Sequence, residues 1–270
     1  MRRLFVFTTA VGRRWPERGD GDTVLILLPP SETKRDGGAG GPLDYAALSH
    51  PALTKHRRAL VRRVSQLARR PEEMMTRLKL GQKLAFEVER NRMLAKAPTM
   101  PAMDRYTGVL YEALDAPSLP PEARAFAAQH VRIHSALLGL LGADDPIPAY
   151  RLSHDSRLEG ETLKAGWSRA VAKELETHRH ELVLDLRSEG YAALGPLPAD
   201  HGYFVRVVTT GPDGSVRALN HFNKKGKGEF VRALALHGED FADVDALVAW
   251  GSASGHPLSL DPSGELLLEV

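Results

Sequence analysis

Three lysines, Lys224, Lys225 and Lys227, are interleaved with Gly226 and Gly228 in the run NHFNKKGKGEFVRAL at 220–234. The spacing predicts a glycine-broken turn that feeds a helix in which Phe230, Val231, Leu234 and Leu236 begin the apolar stripe. Free backbone N–H groups and the macrodipole favour an anion where a helix begins, so the chemistry implied is phosphate binding, with a solvated lysine turn as the plain alternative. It is not a Walker A loop, whose G-x-x-x-x-G-K-[ST] order is absent. Other polar groups sit at element ends: Ser31-Glu32-Thr33-Lys34 after Pro29-Pro30, Tyr106 before Thr107-Gly108, Arg151 after Tyr150, and Arg187-Ser188-Glu189 with Tyr191 close behind. A lysine desolvated among other cations has a lowered pKa and can serve as nucleophile or base, which singles out Lys34 and Lys225. Tyr106 and Glu189 are the matching groups for moving a proton.

Composition narrows the field. A chain of 270 residues that is 43% hydrophobic buries a sizeable core, and zero cysteines remove disulfides, thiol nucleophiles and Cys-type metal sites together. The net charge of +2 marks no nucleic-acid binder by itself, so any basic surface comes from local clustering. The apolar runs fall short of the roughly 18–20 residues a membrane span needs, and the expected compartment is the cytoplasm. His130 and His134 have i,i+4 spacing without an H-E-x-x-H pattern, and no metal site or cofactor is expected. Residues 1–23 have a short apolar stretch without a cleavage site and read as a poorly ordered N-terminal extension, with one domain over 24–270.

The elements that must position these groups follow a mixed α/β pattern. Val24–Leu28 and Glu181–Leu186 are continuous apolar runs, the pattern of strands buried on both faces, and each ends in a polar cluster. Gly202–Thr210 and Ser215–Phe222 flank Gly-Pro-Asp-Gly and predict an antiparallel hairpin. These four segments are expected to form a central mixed sheet; Val131–Ala136 and Glu265–Val270 read as further strands, Gly139–Gly142 as a chain break and Pro98–Pro101 as a linker. Helices are expected from Pro51 to about Arg70, over Val109–Leu114, from Pro121 to about Gln129, over Gly160–His178 and over Asp240–Trp250. The first has a strongly basic outer face, to which Arg57 and Arg63 are also assigned. Lys55, Arg58, Arg62, Arg69, Arg90 and Arg92 are expected to be mostly exposed. Two short helices around Gly81 with basic flanks suggest a helix-hairpin-helix element that reaches a phosphate backbone.

The ordered landmarks LILLPPSETK at 25–34, RYTGVLYEAL at 105–114, Gly139/Gly142/Asp145, YRL at 150–152, Trp167, SEGY at 188–191 and FNKKGKGEFVR at 222–232 resemble the bacterial YaaA peroxide-stress-resistance proteins. The resemblance runs from Val24 to the C-terminus. It implies a mixed α/β domain with a basic cleft lined by Lys34, Asn91, Tyr106, Arg151, Ser188, Glu189, Tyr191, Lys224, Lys225 and Lys227, and a helix-hairpin-helix element near Met74–Leu94, where Arg92 joins the binding surface. It further implies DNA as partner and a role in limiting iron-dependent oxidative DNA damage. Ser153-His154 follows YRL where many relatives carry Glu-Met, which leaves Glu32 to stand in for the missing carboxylate. The alternative from the residues is an enzyme acting on a nucleotide, nucleobase or damaged DNA, with a phosphate-bearing small molecule as ligand. Either way Lys34, Arg151, Glu189 and the three lysines are expected to open on one sheet edge.

Overall fold

The structure, a computed structural model, describes residues 23–179, 181–198, 202–210, 216–218 and 223–270. The expected N-terminal extension and the hairpin turn at 211–214 lie outside the described residues. The described residues form ten strands: β1 (Val24–Leu28), β2 (Met100–Pro101), β3 (Val131–Ser135), β4 (Gly139–Gly142), β5 (Pro146–Ile147), β6 (Leu182–Asp185), β7 (Tyr203–Thr210), β8 (Val216–Ala218), β9 (Leu258–Leu260) and β10 (Leu266–Glu269). Eight of them form one sheet in the order β4-β3-β1-β6-β7-β10-β9, with β8 paired to β7. β3, β1, β6, β7 and β10 run parallel, and the antiparallel partners are β4, β8 and β9. β1 lies between two parallel neighbours and all five of its residues are buried, as its unbroken apolar run requires.

Among the described residues ten α-helices surround the sheet: α1 (Thr54–Leu67), α2 (Pro71–Arg77), α3 (Phe86–Arg92), α4 (Ala102–Arg105), α5 (Val109–Leu114), α6 (Pro121–His130), α7 (Leu163–Glu176), α8 (Glu189–Ala192), α9 (Asn223–His237) and α10 (Val244–Ala253). The central mixed sheet with flanking helices is the architecture expected, and β7 and β8 pair antiparallel, Val208 opposite Ala218. The pair of helices expected around Gly81 takes the form of seven-residue α2 and α3, with residues 78–85 and a 3-10 turn at Gln82–Leu84 between them.

Three elements differ from expectation for identifiable reasons. Gly139–Gly142 is a strand and not a break: Gly139 takes the left-handed turn (φ +69°) and sits against Trp167, leaving Leu140 and Leu141 to pair with β3. α9 begins at Asn223, so the three lysines lie in the helix and not in a turn before it. Its glycines are contact positions, since a Cβ on Gly228 would lie 2.2 Å from the Leu110 carbonyl oxygen of α5. α10 begins at Val244, capped by the Asp243 carboxylate on the Ala246 N–H, while Asp240 accepts the Val24 N–H at 2.7 Å and ties the preceding loop to β1.

Candidate functional site

Pro29-Pro30 cannot continue the β1 ladder, and the chain curls back at the carboxyl end of the strand. Lys34 Nζ donates to the Ser31 carbonyl (2.8 Å) and the Glu32 carbonyl (3.3 Å) and lies over the rings of Tyr150 (4.1 Å) and Tyr106 (5.3 Å). Burial pushes its pKa down to about 7; Arg151 and Arg90 act in the same direction, and Glu87 and Glu32 oppose it. The two carbonyls and the two ring faces favour the charged form, so this amine is balanced between its two protonation states.

Behind the lysine runs a buried hydroxyl chain, Ser135 Oγ to Tyr150 (2.7 Å) to Tyr106 (2.8 Å). Ser135 Oγ already accepts the Leu137 and Leu138 N–H groups, which use both its lone pairs, so its proton goes to Tyr150 and that of Tyr150 to Tyr106. Burial raises the pKa of Tyr106, Tyr150 and Tyr191, keeping these phenols protonated. On the open side Glu32 accepts from Arg151 Nη2 (2.5 Å) and Ser153 Oγ (3.2 Å). Its carboxylate therefore stands beside Arg151 and Ser153. Asn91 is fully buried and does not line this site. It donates to the Arg151 carbonyl (2.7 Å) and accepts the Arg151 N–H (2.8 Å), which fixes the backbone that presents the guanidinium.

A second lysine caps the neighbouring strand in the same manner. Lys227 Nζ donates to the Leu186 carbonyl (2.9 Å) just past β6 and lies 5.3 Å over the Phe204 ring. Burial lowers its pKa to about 8, opposed by Asp185 and helped by Arg206. Glu189 accepts from Arg206 at 3.4 Å, and Glu265 holds the same guanidinium at 2.5 and 2.8 Å. Arg187, whose carbonyl lies 3.5 Å from Lys227 Nζ, is fully buried, bidentate on Asp185 (2.8 and 2.7 Å) and donates to His134 Nδ1 and the Gly195 carbonyl. A guanidinium has no acceptor, so His134 is the Nε2–H tautomer, kept neutral by burial and by Arg187.

Among the side chains expected to share a site, two sets are in contact at the carboxyl ends of the adjacent strands β1 and β6. Lys34 meets Arg151, Tyr106 and Tyr191 around Glu32, and Lys227 meets Glu189 through Arg206. Lys225 pairs with Glu229 one turn along its own helix (3.2 Å), with both side chains well exposed, and Lys224 and Ser188 are exposed. His130 and His134 do not converge: His130 Nδ1 meets the Val24 carbonyl and His134 faces Arg187. Tyr150, Ser135, Asp185 and Arg206 were not singled out from sequence. Asp185 carried a readable signal, a carboxylate ending an apolar strand two residues before an arginine.

The basic helices also need correction. Arg57 is fully buried and donates to the Leu138 and Leu140 carbonyls at 2.8 and 2.6 Å, so it belongs to the inner face of α1. Arg90 is tied to Glu87 and Asp36 with only 10% of its side chain exposed. Lys55, Arg58, Arg62, Arg69 and Arg92 are exposed as expected, Arg92 pairing with Glu89 at 2.7 Å. A groove of about 360 Å³ lined by Asp36, Phe86, Arg90, Met93 and Ala149 adjoins the Lys34 cluster through Arg90. No helix among the described residues is long and apolar enough to cross a membrane.

Comparison with known proteins agrees with the ordered landmarks. The family described as "Peroxide stress protein YaaA" matches residues 24–256. A "UPF0246 protein" of Corynebacterium glutamicum (strain R) is 42% identical over 245 residues, covering 89% of this chain and 96% of the relative. Another "UPF0246 protein", from Streptomyces coelicolor, is 38% identical over 218 residues, covering 80% of this chain and 84% of the relative. A more distant one from Shewanella pealeana is 28% identical over 243 residues, covering 85% and 92%. With the match spanning every element from β1 to α10, the chain belongs to the YaaA family of peroxide stress proteins.

Proposed function

We propose that this protein protects DNA during peroxide stress by binding it through the outer face of α1. The observation that carries the reading is the charge pattern of residues 54–70, which hold seven lysines and arginines and no acidic residue, with Lys55, Arg58, Arg62 and Arg69 exposed. α2 and α3, with Arg92, flank this face as a helix-hairpin-helix-like element that approaches the phosphates, giving binding with weak sequence preference. Phosphates neutralised by the protein release their condensed cations. Iron(II) held on the backbone is among the cations so displaced, a route to limiting iron-dependent damage that requires no chelating site on the protein.

The test is fluorescence anisotropy with a short duplex across a salt series. Reversing Arg62 and Arg92 together to glutamate is expected to flatten the slope of log K against log salt by about two, near 0.9 per lost phosphate contact. An unchanged slope removes these arginines from the interface.

One observation favours a second reading, an enzyme acting on a nucleotide, nucleobase or damaged DNA. Lys34, brought down to about 7, stands beside the Glu32 and Arg151 pair with Tyr106 behind it. A neutral Lys34 amine adds to an aldehyde carbon, and loss of water leaves a C=N bond. Lys34 is 7% exposed, so the 31–34 turn must release it first. Borohydride with an aldehyde-bearing oligonucleotide traps such an adduct; the second reading predicts trapping by the native protein and none by Lys34→Ala, and equal yields would discard it.

A further inference from the structure

Beside the acid-free face of α1 a short acidic segment lies across four more cations. The Glu159 carboxylate accepts from Arg70 Nη1 at 3.3 Å and Arg77 Nη2 at 3.2 Å, guanidiniums that Glu73 of α2 also holds at 2.7 Å each, and Asp155 holds Lys79 at 3.0 Å. Arg63 donates to the carbonyls of Glu159 and Glu161, clasping the left-handed turn at Gly160 (φ +80°). Leu158 anchors the segment against the core, and a cleft of about 300 Å³ remains between it and Arg63, Gln66, Leu67 and Arg70. One loop therefore supplies acceptors to Arg63, Arg70, Arg77 and Lys79. These are pairs of side chains in water: Arg70 and Glu159 are 50% and 58% exposed, Lys79 and Asp155 68% and 51%. Such pairs contribute little to stability and are readily exchanged. A carboxylate presents a guanidinium with the same paired oxygens as a phosphodiester, so one can take the other's place.

We infer that residues 155–161 form an autoinhibitory strap, whose carboxylates occupy cations that would otherwise extend the phosphate-binding face of α1 onto α2. The inference rests on the DNA-binding reading and adds its regulation. In the closed arrangement, duplex DNA meets the outer face of α1 and Arg92 of α3. When Asp155 and Glu159 are displaced, Arg70, Arg77 and Lys79 face the phosphates with only Glu73 still paired among them, a net gain of two positive charges at the interface.

The test compares native protein, Asp155→Asn/Glu159→Gln, and a control with the same charge change at exposed positions on other helices, Glu122→Gln/Asp245→Asn. Duplex affinity, its salt slope and the salt needed for elution from heparin are read for all three. The strap variant is expected to bind duplex DNA about three- to tenfold more tightly than the native protein, with a slope steeper by about two and later elution from heparin. The control is expected to move less than half as far. A strap variant that binds no tighter, or that moves only as far as the control, overturns the inference and leaves the DNA-binding reading intact. If none of the three binds duplex but the strap variant alone elutes later from heparin, the strap stands and the DNA-binding reading falls. If it also elutes with the control, both fall.

Discussion

The two faces of α1 carry the same residue type to opposite ends. On the inner face Arg57 is fully buried and cross-links the helix to the carbonyls of Leu138 and Leu140, at the turn into β4. One residue on, Arg58 is exposed over the Tyr45 ring, and Arg62 and Arg69 continue the outer face. The inner pattern recurs elsewhere: Arg105 gathers the carbonyls of Arg35, Gly37, Pro98 and Ile147, and Arg187 grips Asp185 and Gly195. Lys34 and Lys227 cap the carbonyls beyond β1 and β6. Buried cations here close loops by satisfying carbonyls that regular structure leaves open, and such carbonyls must be satisfied. The cations left for a partner are those on the surface. In a chain of net charge +2, the division between these two sets decides whether a binding face exists.

The comparison is broken most severely at Arg187. Asp185→Ala leaves that guanidinium buried without its carboxylate and is expected to cost about 3–5 kcal/mol, seen as a lowered urea midpoint with an unchanged m-value. Arg57→Met strands the Leu138 and Leu140 carbonyls and is expected to cost about 2–4 kcal/mol in the same assay. A loss below about 0.5 kcal/mol would return Arg57 to the solvated set. Acidity sharpens the comparison at Lys34. Its folded pKa of about 7 lies below its ordinary 10.5, so the cost of burying the ammonium is fully present below about 7 and disappears as pH rises toward 10.5. Over that window the unfolded chain binds more protons and stability rises with pH. Lys34→Met is expected to flatten that rise in denaturation series at several pH values; the remainder belongs to Lys227, over the window above about 8. The smallest effect on stability is on the outer face, where Arg58→Glu and Arg62→Glu are expected to change unfolding by no more than about 0.5 kcal/mol each.

How much of this was legible from the residues follows the same division. β1 and β6 were readable because a parallel strand covered on both faces must be apolar throughout, and α7 because its stripe from Leu163 to Leu175 keeps helical phase. Arg57 was misassigned by type although its position was informative: four residues after Leu53 and three before Leu60, it sits on the apolar stripe itself. Gly226 and Gly228 read as turn residues because glycine serves equally for turns and for close helix contacts, and only the proximity of α5 and β10 distinguishes these uses. Lys34, Tyr106, Arg151 and Tyr191 were picked out through their places at element ends and through family resemblance. Which of these side chains touch was not readable, because it depends on how the loops after β1 and β6 curl back over the sheet edge. Lys225 and Lys227 are two residues apart on one helix, and helical phase alone sends one to solvent and the other to the Leu186 carbonyl.

The central claim is that the outer cations of α1 form a phosphate-binding face while the inner ones hold the fold. The salt slope of duplex binding for Arg58→Glu/Arg62→Glu/Arg69→Glu, measured beside the native protein on samples matched for urea midpoint, addresses it directly. The account predicts a slope flattened by about three, near 0.9 for each phosphate no longer contacted, with the fold unchanged. A triple variant that keeps the native slope and affinity would contradict it.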